Sequence, residues 1–298
     1  MKKISSILFV LLLMLASFTA GTQYPRGDVD YNGQVDIADV VTLIDYLLTG
    51  TWGDEPVNPE EPQTETFTVN GVTFTMVAVE GGTFTMGATA EQGSDANNLE
   101  KPAHEVTLSS YSIGQTEVSQ ALWQAVMDSN PSYFNGGNYG TNLQRPVEEV
   151  SWNDCQTFIS KLNQLTGKTF RLPTEAEWEF AARGGKLSQG YKYSGSNTIG
   201  DVAWYTSNSS STTHPVATKA PNELGLYDMS GNVWEWCQDW YGSYSSDAQT
   251  NPVGPSTGSS RVYRGGGWLS ETRGCRVSFR NDYAPSNTSN FLGLRLAL

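Results

Sequence analysis

The apolar positions of the chain first alternate, then follow a helical period, and finally lose any regular spacing. Alternation over residues 74–79 and 83–86, on either side of a glycine pair, predicts two strands joined by a turn. Spacings of three and four residues then predict three helices, one over residues 117–127, one capped by Ser151 and one capped by Thr174. From there to the C-terminus the chain is aromatic and rich in turn residues. We therefore predict an α+β fold with an unusual share of loop.

Residues 28–39 carry oxygen-bearing side chains at the spacing of a calcium-binding loop. Gly33 stands at position 6, where such a loop turns sharply. The expected ligands, at positions 1, 3, 5, 7, 9 and 12, are Asp28, Asp30, Asn32, Gln34 through its backbone carbonyl, Asp36 and Asp39. The apolar positions that follow predict a helix ending at Gly50. We therefore predict a small calcium-binding loop and helix over residues 26–50.

This loop and helix resemble one half of a type I dockerin. Dockerins carry two such halves, and this chain has one. A cohesin-like partner for residues 26–50 is one expectation, and a calcium-stiffened spacer is the alternative. Residues 51–65 contain three prolines and five acidic residues, which predicts an extended linker.

The first 21 residues have the layout of a secretory signal peptide. Lys2 and Lys3 precede an apolar run over residues 7–15, and small residues follow as far as Ala20. The run is shorter than the ~20 residues of a spanning helix, and no later segment is long and apolar enough, so no membrane span is expected after cleavage. We predict a secreted, periplasmic or cell-surface protein. An uncleaved membrane anchor is the alternative.

Charge and composition exclude several classes of function. The net charge of −13 is unsuited to nucleic acid, because phosphate contacts need clustered Lys and Arg. Two histidines, His104 and His214, are too few for a histidine-rich zinc or iron centre. Three cysteines, Cys155, Cys237 and Cys275, allow at most one disulfide, and the sequence does not choose among the three pairings.

Five motifs follow one another in the second part of the chain. They are Phe84–Gly87 (FTMG), Val150–Asp154 (VSWND), Arg171–Glu179 (RLPTEAEWE), Gly225–Trp236 (GLYDMSGNVWEW) and Arg264–Trp268 (RGGGW). Together they resemble the sulfatase-modifying-factor family, whose founding member is the formylglycine-generating enzyme. The resemblance implies a C-type-lectin-like fold, rich in loops, for residues 66–298.

The resemblance also implies a Cu(I) site of two cysteines near the C-terminus, and this chain departs from it. The second cysteine aligns on Cys275 and the first on Ser270, whose neutral hydroxyl cannot replace a thiolate for soft Cu(I). The active-site serine and the histidine of the family align on Gly267 and Glu271. We therefore expect Ser270 and Cys275 to be vestigial, copper to be absent and the protein to be non-catalytic. An oxidoreductase with an altered active site is the alternative.

Residues 228–235 resemble the structural calcium loop of the family. The resemblance implies carboxylate ligands from Asp228 and Glu235 and backbone carbonyl ligands from Gly231 and Val233. An ordinary turn before an aromatic strand is the alternative.

A ligand-binding surface is expected between residues 268 and 291, the segment that lines the substrate pocket in the family. Variable proteins of diversity-generating retroelements share the fold and end in a similar segment, so a diversified binding protein is a further alternative. The expected contact residues are Trp268, Ser270, Glu271, Arg273, Asn281, Tyr283, Asn287 and Phe291. Aromatic anchors mixed with small polar groups suit recognition of a protein, peptide or glycan. Residues 275–278 are expected to form a packed strand beneath this surface.

Overall fold

The computed structural model describes residues 63–298, so the predicted signal peptide, the N-terminal calcium loop and helix, and the linker as far as residue 62 lie outside the described residues. The strands are Thr64–Val69 (β1), Val72–Val79 (β2), Thr83–Met86 (β3), His104–Thr107 (β4), Tyr111–Gly114 (β5), Trp234–Trp240 (β6), Gln249–Thr250 (β7), Arg261–Arg264 (β8), Arg280–Tyr283 (β9) and Leu292–Leu294 (β10). The α-helices are Gln120–Met127 (α1), Trp152–Thr166 (α2), Glu175–Ala182 (α3) and Ile199–Val202 (α4). Short 3-10 helices cover Ala90–Asp95, Asn98–Glu100, Gly137–Tyr139, Gly185–Leu187 and Thr272–Cys275. The mixture of helix, sheet and long loops agrees with the predicted α+β class.

The strands form three small sheets. One is antiparallel with the order β1-β2-β5, and a second has the order β3-β4-β7. The third has the order β10-β6-β8-β9, with β10 parallel to β6 and the other neighbours antiparallel. Because β6 lies inside this sheet, its residues Glu235 and Trp236 are fully buried. None of the helices in residues 63–298 has the length and apolar character to cross a membrane.

Capping residues fix two of the helices where the sequence predicts them. The Oγ of Ser151 accepts a hydrogen bond from the N–H of Asp154 at 3.1 Å, and the Asp154 carboxylate accepts one from the N–H of Ser151 at 3.0 Å. Thr174 and Glu177 form the same reciprocal box at the start of α3. Gly167, in the left-handed conformation, ends α2. These two predicted helices are confirmed.

α1 begins three residues later than its apolar pattern predicts. Ser119 caps it, because its Oγ accepts from the N–H of Leu122 at 3.2 Å, so the first helical residue is Gln120. Glu117, which the pattern includes in the helix, is instead buried beside residues 232 and 233.

β1 includes the last two residues of the predicted linker. Thr64 pairs with Val77 and Glu65 pairs with Met76 in the β1-β2 ladder. The ladder gives these backbone groups hydrogen-bond partners that an extended linker would find only in water.

Two apolar clusters fill the domain. The first packs α1 and α2 against β1, β2 and β10, and the rings of Trp123 and Phe158 stack there with centroids 4.8 Å apart. The second includes α3, whose Trp178 is fully buried. The C-terminal residues join the first sheet, since Ser112 and Leu298 exchange two backbone hydrogen bonds of 3.1 and 2.9 Å.

All three cysteines are free thiols and are fully buried. Cys155 lies in α2, Cys237 in β6 and Cys275 at the end of a 3-10 helix. Burial raises the pKa of each thiol, that of Cys275 to about 12. The disulfide that the sequence allows is therefore not formed, and the three thiols belong to the packed interior.

Residues 275–278 are packed, but they do not form the strand that the sequence predicts. Cys275 ends the 3-10 helix, and Arg276 follows as a fully buried residue. The guanidinium of Arg276 donates to both carboxylate oxygens of Glu100, at 2.6 and 2.8 Å. A buried ion pair holds this segment in place of ladder hydrogen bonds.

Candidate functional site

Ser270 and Cys275 are both buried, and neither presents a thiolate. The Oγ of Ser270 accepts a hydrogen bond from the N–H of Gly267 at 2.9 Å. Cys275 packs with Tyr193 and Val202 in a small apolar cluster. Because burial raises its pKa to about 12, this thiol stays protonated at neutral pH. A serine hydroxyl beside a single cysteine does not fit Cu(I), which binds paired thiolates.

Trp268 follows the glycine run and is held by three other segments of the chain. Its indole N–H donates to the carbonyl of Asn290 at 2.9 Å, and its backbone N–H donates to the carbonyl of Asn232 at 2.7 Å. Its own carbonyl accepts from the Oγ of Ser209 at 2.7 Å. These bonds fix the half-buried ring at the point where the three segments meet.

Three aromatic residues that the sequence reasoning missed lie next to Trp268. Phe134 stands edge-on to Trp268 with ring centroids 5.2 Å apart, and Tyr139 stands edge-on to Phe134 at 4.8 Å. Tyr133 completes the group, at 5.7 Å from Tyr139. Tyr133 is 54% exposed and Tyr139 is 39% exposed. We call Tyr133, Phe134, Tyr139 and Trp268 the aromatic cluster.

A sequence signal for this cluster exists in residues 130–140. Three aromatic residues stand there among asparagines and glycines, without the period of a helix or strand. Such a composition is typical of a surface loop, and aromatic residues in a surface loop are unusual enough to mark a contact site.

Of the other predicted contact residues of the Trp268 loop, Glu271 and Arg273 are exposed, whereas Ser270 is buried and does not face a ligand. Glu271 and Arg273 both face solvent, with their charged atoms 3.7 Å apart. Phe291 differs from them, because its ring packs against the first apolar cluster. Phe291 therefore supports the fold, and its removal would affect stability as well as any binding.

Asn281 and Tyr283 lie on β9, the edge strand of the third sheet. Tyr283 is 36% exposed, and Asn287 follows in the next loop, where its N–H donates to Ala284 at 2.9 Å. Within residues 63–298 no hydrogen bond or ring contact joins Tyr283 to Trp268. The predicted contact residues thus occupy two groups, one at the Trp268 loop and one at the β9 edge.

Three buried carboxylates, those of Glu117, Asp228 and Glu235, lie near a single guanidinium, that of Arg295. Glu235 accepts hydrogen bonds from Arg295 at 2.8 Å and from the indole N–H of Trp178 at 2.6 Å. Glu117 accepts from the N–H of residue 233 at 2.9 Å and from the side-chain amide of residue 232 at 2.7 Å. Burial, followed by the negative charges of Asp228 and Glu235, raises the pKa of Glu117 well above its usual value.

Of the three carboxylates, that of Asp228 has the fewest hydrogen-bond partners. Its Oδ2 accepts from the N–H of Ala217 at 2.7 Å, whereas its Oδ1 is buried and has no hydrogen-bond partner among residues 63–298. Burial raises the pKa of Asp228 to about 6. A cation at Oδ1 would supply the missing partner.

The predicted calcium ligands fit such a cation in part. Gly231 and Val233 donate their N–H groups to Gly265 and Glu117, so the loop conformation is fixed by the protein itself. The carboxylate of Glu235 already accepts hydrogen bonds from Arg295 and Trp178. The carboxylate of Asp228 keeps one oxygen, Oδ1, without a hydrogen-bond partner among residues 63–298. The part of the chain that the structure describes contains no group of three or more His, Cys, Asp or Glu side chains placed to hold a metal ion. A calcium ion here would depend on Asp228 together with backbone carbonyls.

Comparison with known proteins places the chain among relatives that match most of its length. Residues 61–298 match the family described as "Sulfatase-modifying factor enzyme 1-like domain". The Chaperone protein LppX of Paenibacillus barcinonensis is 34% identical over 271 residues, covering 74% of this chain and 88% of that protein. The Formylglycine-generating enzyme of Streptomyces coelicolor is 30% identical over 283 residues, with the same coverage of 74% and 88%. The solved structure of Treponema denticola variable protein 1 superposes with a TM-score of 0.72 at 38% identity, covering 79% of this chain and 99% of that one. With a family match over most of its length, this chain belongs to the sulfatase-modifying factor family.

Proposed function

We propose that this protein is a secreted, calcium-binding member of the family that binds a ligand and carries out no oxidation. In this proposal the domain has a C-type-lectin-like fold. The aromatic cluster and the exposed residues of the Trp268 loop form a surface for a protein, peptide or glycan. Residues 26–50 add a second calcium site and a dockerin-like contact for a cohesin-like partner.

The observation that carries the non-catalytic part is the state of the two residues at the expected copper site. The Ser270 hydroxyl is a neutral oxygen already bonded to the N–H of Gly267, and Cys275 is a protonated, buried thiol. Cu(I) binds paired thiolates, and with a serine at position 270 this position offers Cys275 as its single sulfur ligand. The side chains at this position therefore favour packing over redox chemistry.

The binding part of the proposal is supported by the exposed rings beside that position. Tyr133 and Tyr139 present large apolar faces with polar tips, which are the side chains that dominate recognition surfaces. One relative is named a chaperone and one similar structure is titled a variable protein, and both names support a role in contacting other molecules. Other relatives are named as enzymes.

A second form of the proposal is a genetically diversified binding protein. The 38% identity to a protein titled variable protein 1 favours it. In this form the codons of residues 268–293 would differ between copies of the gene. A template repeat and a reverse-transcriptase gene in the adjacent DNA would support it, and their absence would reject it.

An oxidation assay tests the non-catalytic proposal. The mature protein is incubated with a cysteine-containing sulfatase peptide, with and without copper, and the peptide mass is followed. We expect no formylglycine, whereas the Streptomyces coelicolor enzyme run in parallel should convert the peptide. Copper-dependent turnover by the parent protein would overturn the proposal. Ser270→Cys should gain Cu(I) binding if residue 270 stands at the lost ligand position.

A binding assay tests the surface. Peptides selected by display on the parent protein, and a glycan array, are probed again with the double variant Tyr133→Ser and Tyr139→Ser. We expect affinity to fall about tenfold or more, since aromatic anchors contribute ~1–2 kcal/mol each. The matched control is Leu187→Ser, an exposed apolar residue outside the cluster. Selected ligands that bind the double variant as tightly as the parent would place the site elsewhere.

A further inference from the structure

A cavity of about 300 Å³ lies beside the end of β6 and shares no lining residue with the aromatic cluster. Its size is at the lower end of the range for small-molecule sites. The residues that matter for its chemistry are His104, Asp239, Trp240, Tyr244, Val253 and Gly254. The N-terminal end of α3, at Glu175, also borders it.

Asp239 is the charged group of this cavity that lacks a partner. The residue is 4% exposed, and within residues 63–298 it forms no ion pair. Its Oδ2 accepts a hydrogen bond from the N–H of Glu175 at 2.9 Å, which leaves Oδ1 without a donor. A Cβ at Gly254, another lining residue, would stand only 3.1 Å from Oδ1, so this oxygen borders the wall of the cavity.

The ion pairs near Asp239 are complete without it. They join Glu91 and Glu179 to Arg183, Glu179 to Arg264, and Glu175 to Arg280. Three carboxylates thus balance three guanidiniums in these pairs. The guanidinium of Arg261, which stacks on Trp240, interacts with the charge of Asp239, but no hydrogen bond joins the two within residues 63–298. Burial, followed by the negative charge of Glu175, raises the pKa of Asp239 to about 7, although the positive charge of Arg280 acts in the opposite direction.

Two further polar groups of the cavity, Arg280 and His104, favour a ligand that donates hydrogen bonds. Arg280 cannot readily serve an anion, because its guanidinium already donates to both oxygens of Glu175 at 2.7 Å and to the carbonyl of Gly242 at 2.7 Å. The Nδ1 of His104 lies 3.2 Å from the carbonyl of Pro102, which can only accept, so Nδ1 carries the proton in the neutral ring. The Nε2 of that ring is then an acceptor, as is Asp239.

The walls of the cavity are apolar beside this acceptor. Trp240 and Val253 line it, and Val253 is 65% exposed, which places it toward the solvent. An alkyl chain that ends in a cation matches such a site, because its methylene groups bury against the walls while its charge meets the carboxylate.

We propose that this cavity binds an alkylammonium group, with the ammonium at Oδ1 of Asp239 and the alkyl stem along Trp240 and Val253. The group comes from a free amine or from a lysine side chain of a peptide. The site is independent of the surface around Trp268, so either assignment stands or falls without the other.

Isothermal titration of the full mature protein tests the proposal with matched probes. n-Pentylamine should bind and 1-pentanol, of equal size without the charge, should not. A blocked tripeptide Gly-Lys-Gly, compared with its norleucine counterpart, tests the lysine source, and the stronger of the two amine probes identifies the source. Equal binding of pentylamine and pentanol, or no saturable pentylamine binding, would refute the site.

Asp239→Asn keeps the acceptor for the N–H of Glu175 while removing the charge. We expect it to weaken pentylamine binding about tenfold or more, as for loss of a hydrogen bond to a charged group. Asp128→Asn removes an exposed carboxylate that does not line the cavity, and it should bind as the parent does. If both variants lose affinity equally, the attraction is general and the proposal is wrong.

Val253→Lys provides a second variant that does not depend on the stability of Asp239→Asn. A lysine at this exposed position can place its own ammonium in the cavity and compete with pentylamine. We expect an unchanged melting temperature and a loss of pentylamine binding. Undiminished pentylamine binding by Val253→Lys would contradict the proposed location.

Discussion

Asp228 carries a buried carboxylate oxygen without a hydrogen-bond partner among residues 63–298. It is 2% exposed, and the other two carboxylates of its cluster share one guanidinium with it. An uncompensated charge in such a place costs stability, because the group has lost its water without gaining a partner. A bound cation or a proton would relieve this cost, and the two cases can be distinguished by substitution.

We expect Asp228→Asn to have opposite effects in chelator and in calcium. Asn keeps the shape and tolerates the left-handed backbone at this position, where φ is 58°. In chelator the variant should be more stable than the parent by on the order of 1–3 kcal/mol, since it removes a desolvated charge. In saturating calcium it should be less stable than the parent, because the ion loses a ligand. Thermal unfolding of both proteins in chelator and in calcium shows whether the order of their stabilities reverses.

The exposed residue Asp247 provides the control for this experiment. Asp247→Asn should follow the parent in chelator and in calcium, since its carboxylate faces solvent. Residues 28–39, which are expected to bind calcium, are the same in all three proteins, so any contribution from them cancels in the comparison. A calcium shift of the same size in Asp228→Asn and in the parent would show that Asp228 is not a ligand.

At the scale of the elements, α3 depends on groups that come from outside it. Thr174 caps its first turn, and Asp239 of β6 accepts from the N–H of Glu175. The helix N-terminus favours a negative charge, but burial and the charge of Glu175 act against it. The balance leaves the pKa of Asp239 at about 7, far above the usual range of an aspartate.

We expect the free energy of unfolding to decrease through Asp239 as the pH rises from about 4 to about 7. The folded protein retains this proton up to about pH 7, while the unfolded chain releases it near the ordinary value of 3.8, so the native state binds more protons in this window. Asp239→Asn should remove this contribution and gain stability relative to the parent as the pH rises. Urea unfolding at about pH 4.5, 6 and 8 gives the difference in unfolding free energy between the variant and the parent.

The neighbouring charged groups Glu175, Glu177, Arg171, Arg261 and Arg280 are present in both proteins, so they enter this difference only through their interaction with the Asp239 charge. The difference in unfolding free energy should be on the order of 4 kcal/mol above pH 7, at about 1.4 kcal/mol for each unit of the pKa shift. Parallel stability curves for the two proteins across the pH range would show that Asp239 is ionised throughout.

The helices could be predicted because their signals are local. Ser151 with Asp154 lies within one turn of its helix, and the box at Thr174 has the same spacing. Strand pairing has no such signal. β7 has two residues and pairs in parallel with β4, which comes far earlier in the chain, and no pattern in either segment specifies that partner.

At the scale of the whole molecule, the motifs contain part of the candidate site but none of the earlier segments that pack against it. Residues 228–235 and Trp268 stand inside recognisable motifs, whereas Tyr133, Tyr139 and Glu117 reach the site from earlier segments. Four arginines after residue 260 are nearly or fully buried, although a charged residue is ordinarily read as exposed. They pair with glutamates from elsewhere, namely Arg264 with Glu179, Arg276 with Glu100, Arg280 with Glu175 and Arg295 with Glu235.

The C-terminal residues Leu296–Leu298 connect distant parts of the domain. Leu296 is 2% exposed and its carbonyl accepts from the N–H of Gly114 at 2.8 Å. Ala297 exchanges backbone hydrogen bonds of 2.8 and 2.9 Å with Arg171. The end of the chain therefore ties β5 to the segment before α3.

We expect Leu296→Ala to lower the free energy of unfolding by about 2–5 kcal/mol, the usual cost of removing a buried leucine side chain. Leu165→Ala is the matched control, since Leu165 is 52% exposed on α2 and should change stability by less than about 0.5 kcal/mol. Removing residues 296–298 should cost more than Leu296→Ala, because the backbone partners of Ser112, Gly114 and Arg171 leave with the side chains. Urea unfolding of the three proteins measures the series. If Leu296→Ala and Leu165→Ala differ by less than about 1 kcal/mol, the C-terminal segment is not the structural link that its contacts indicate.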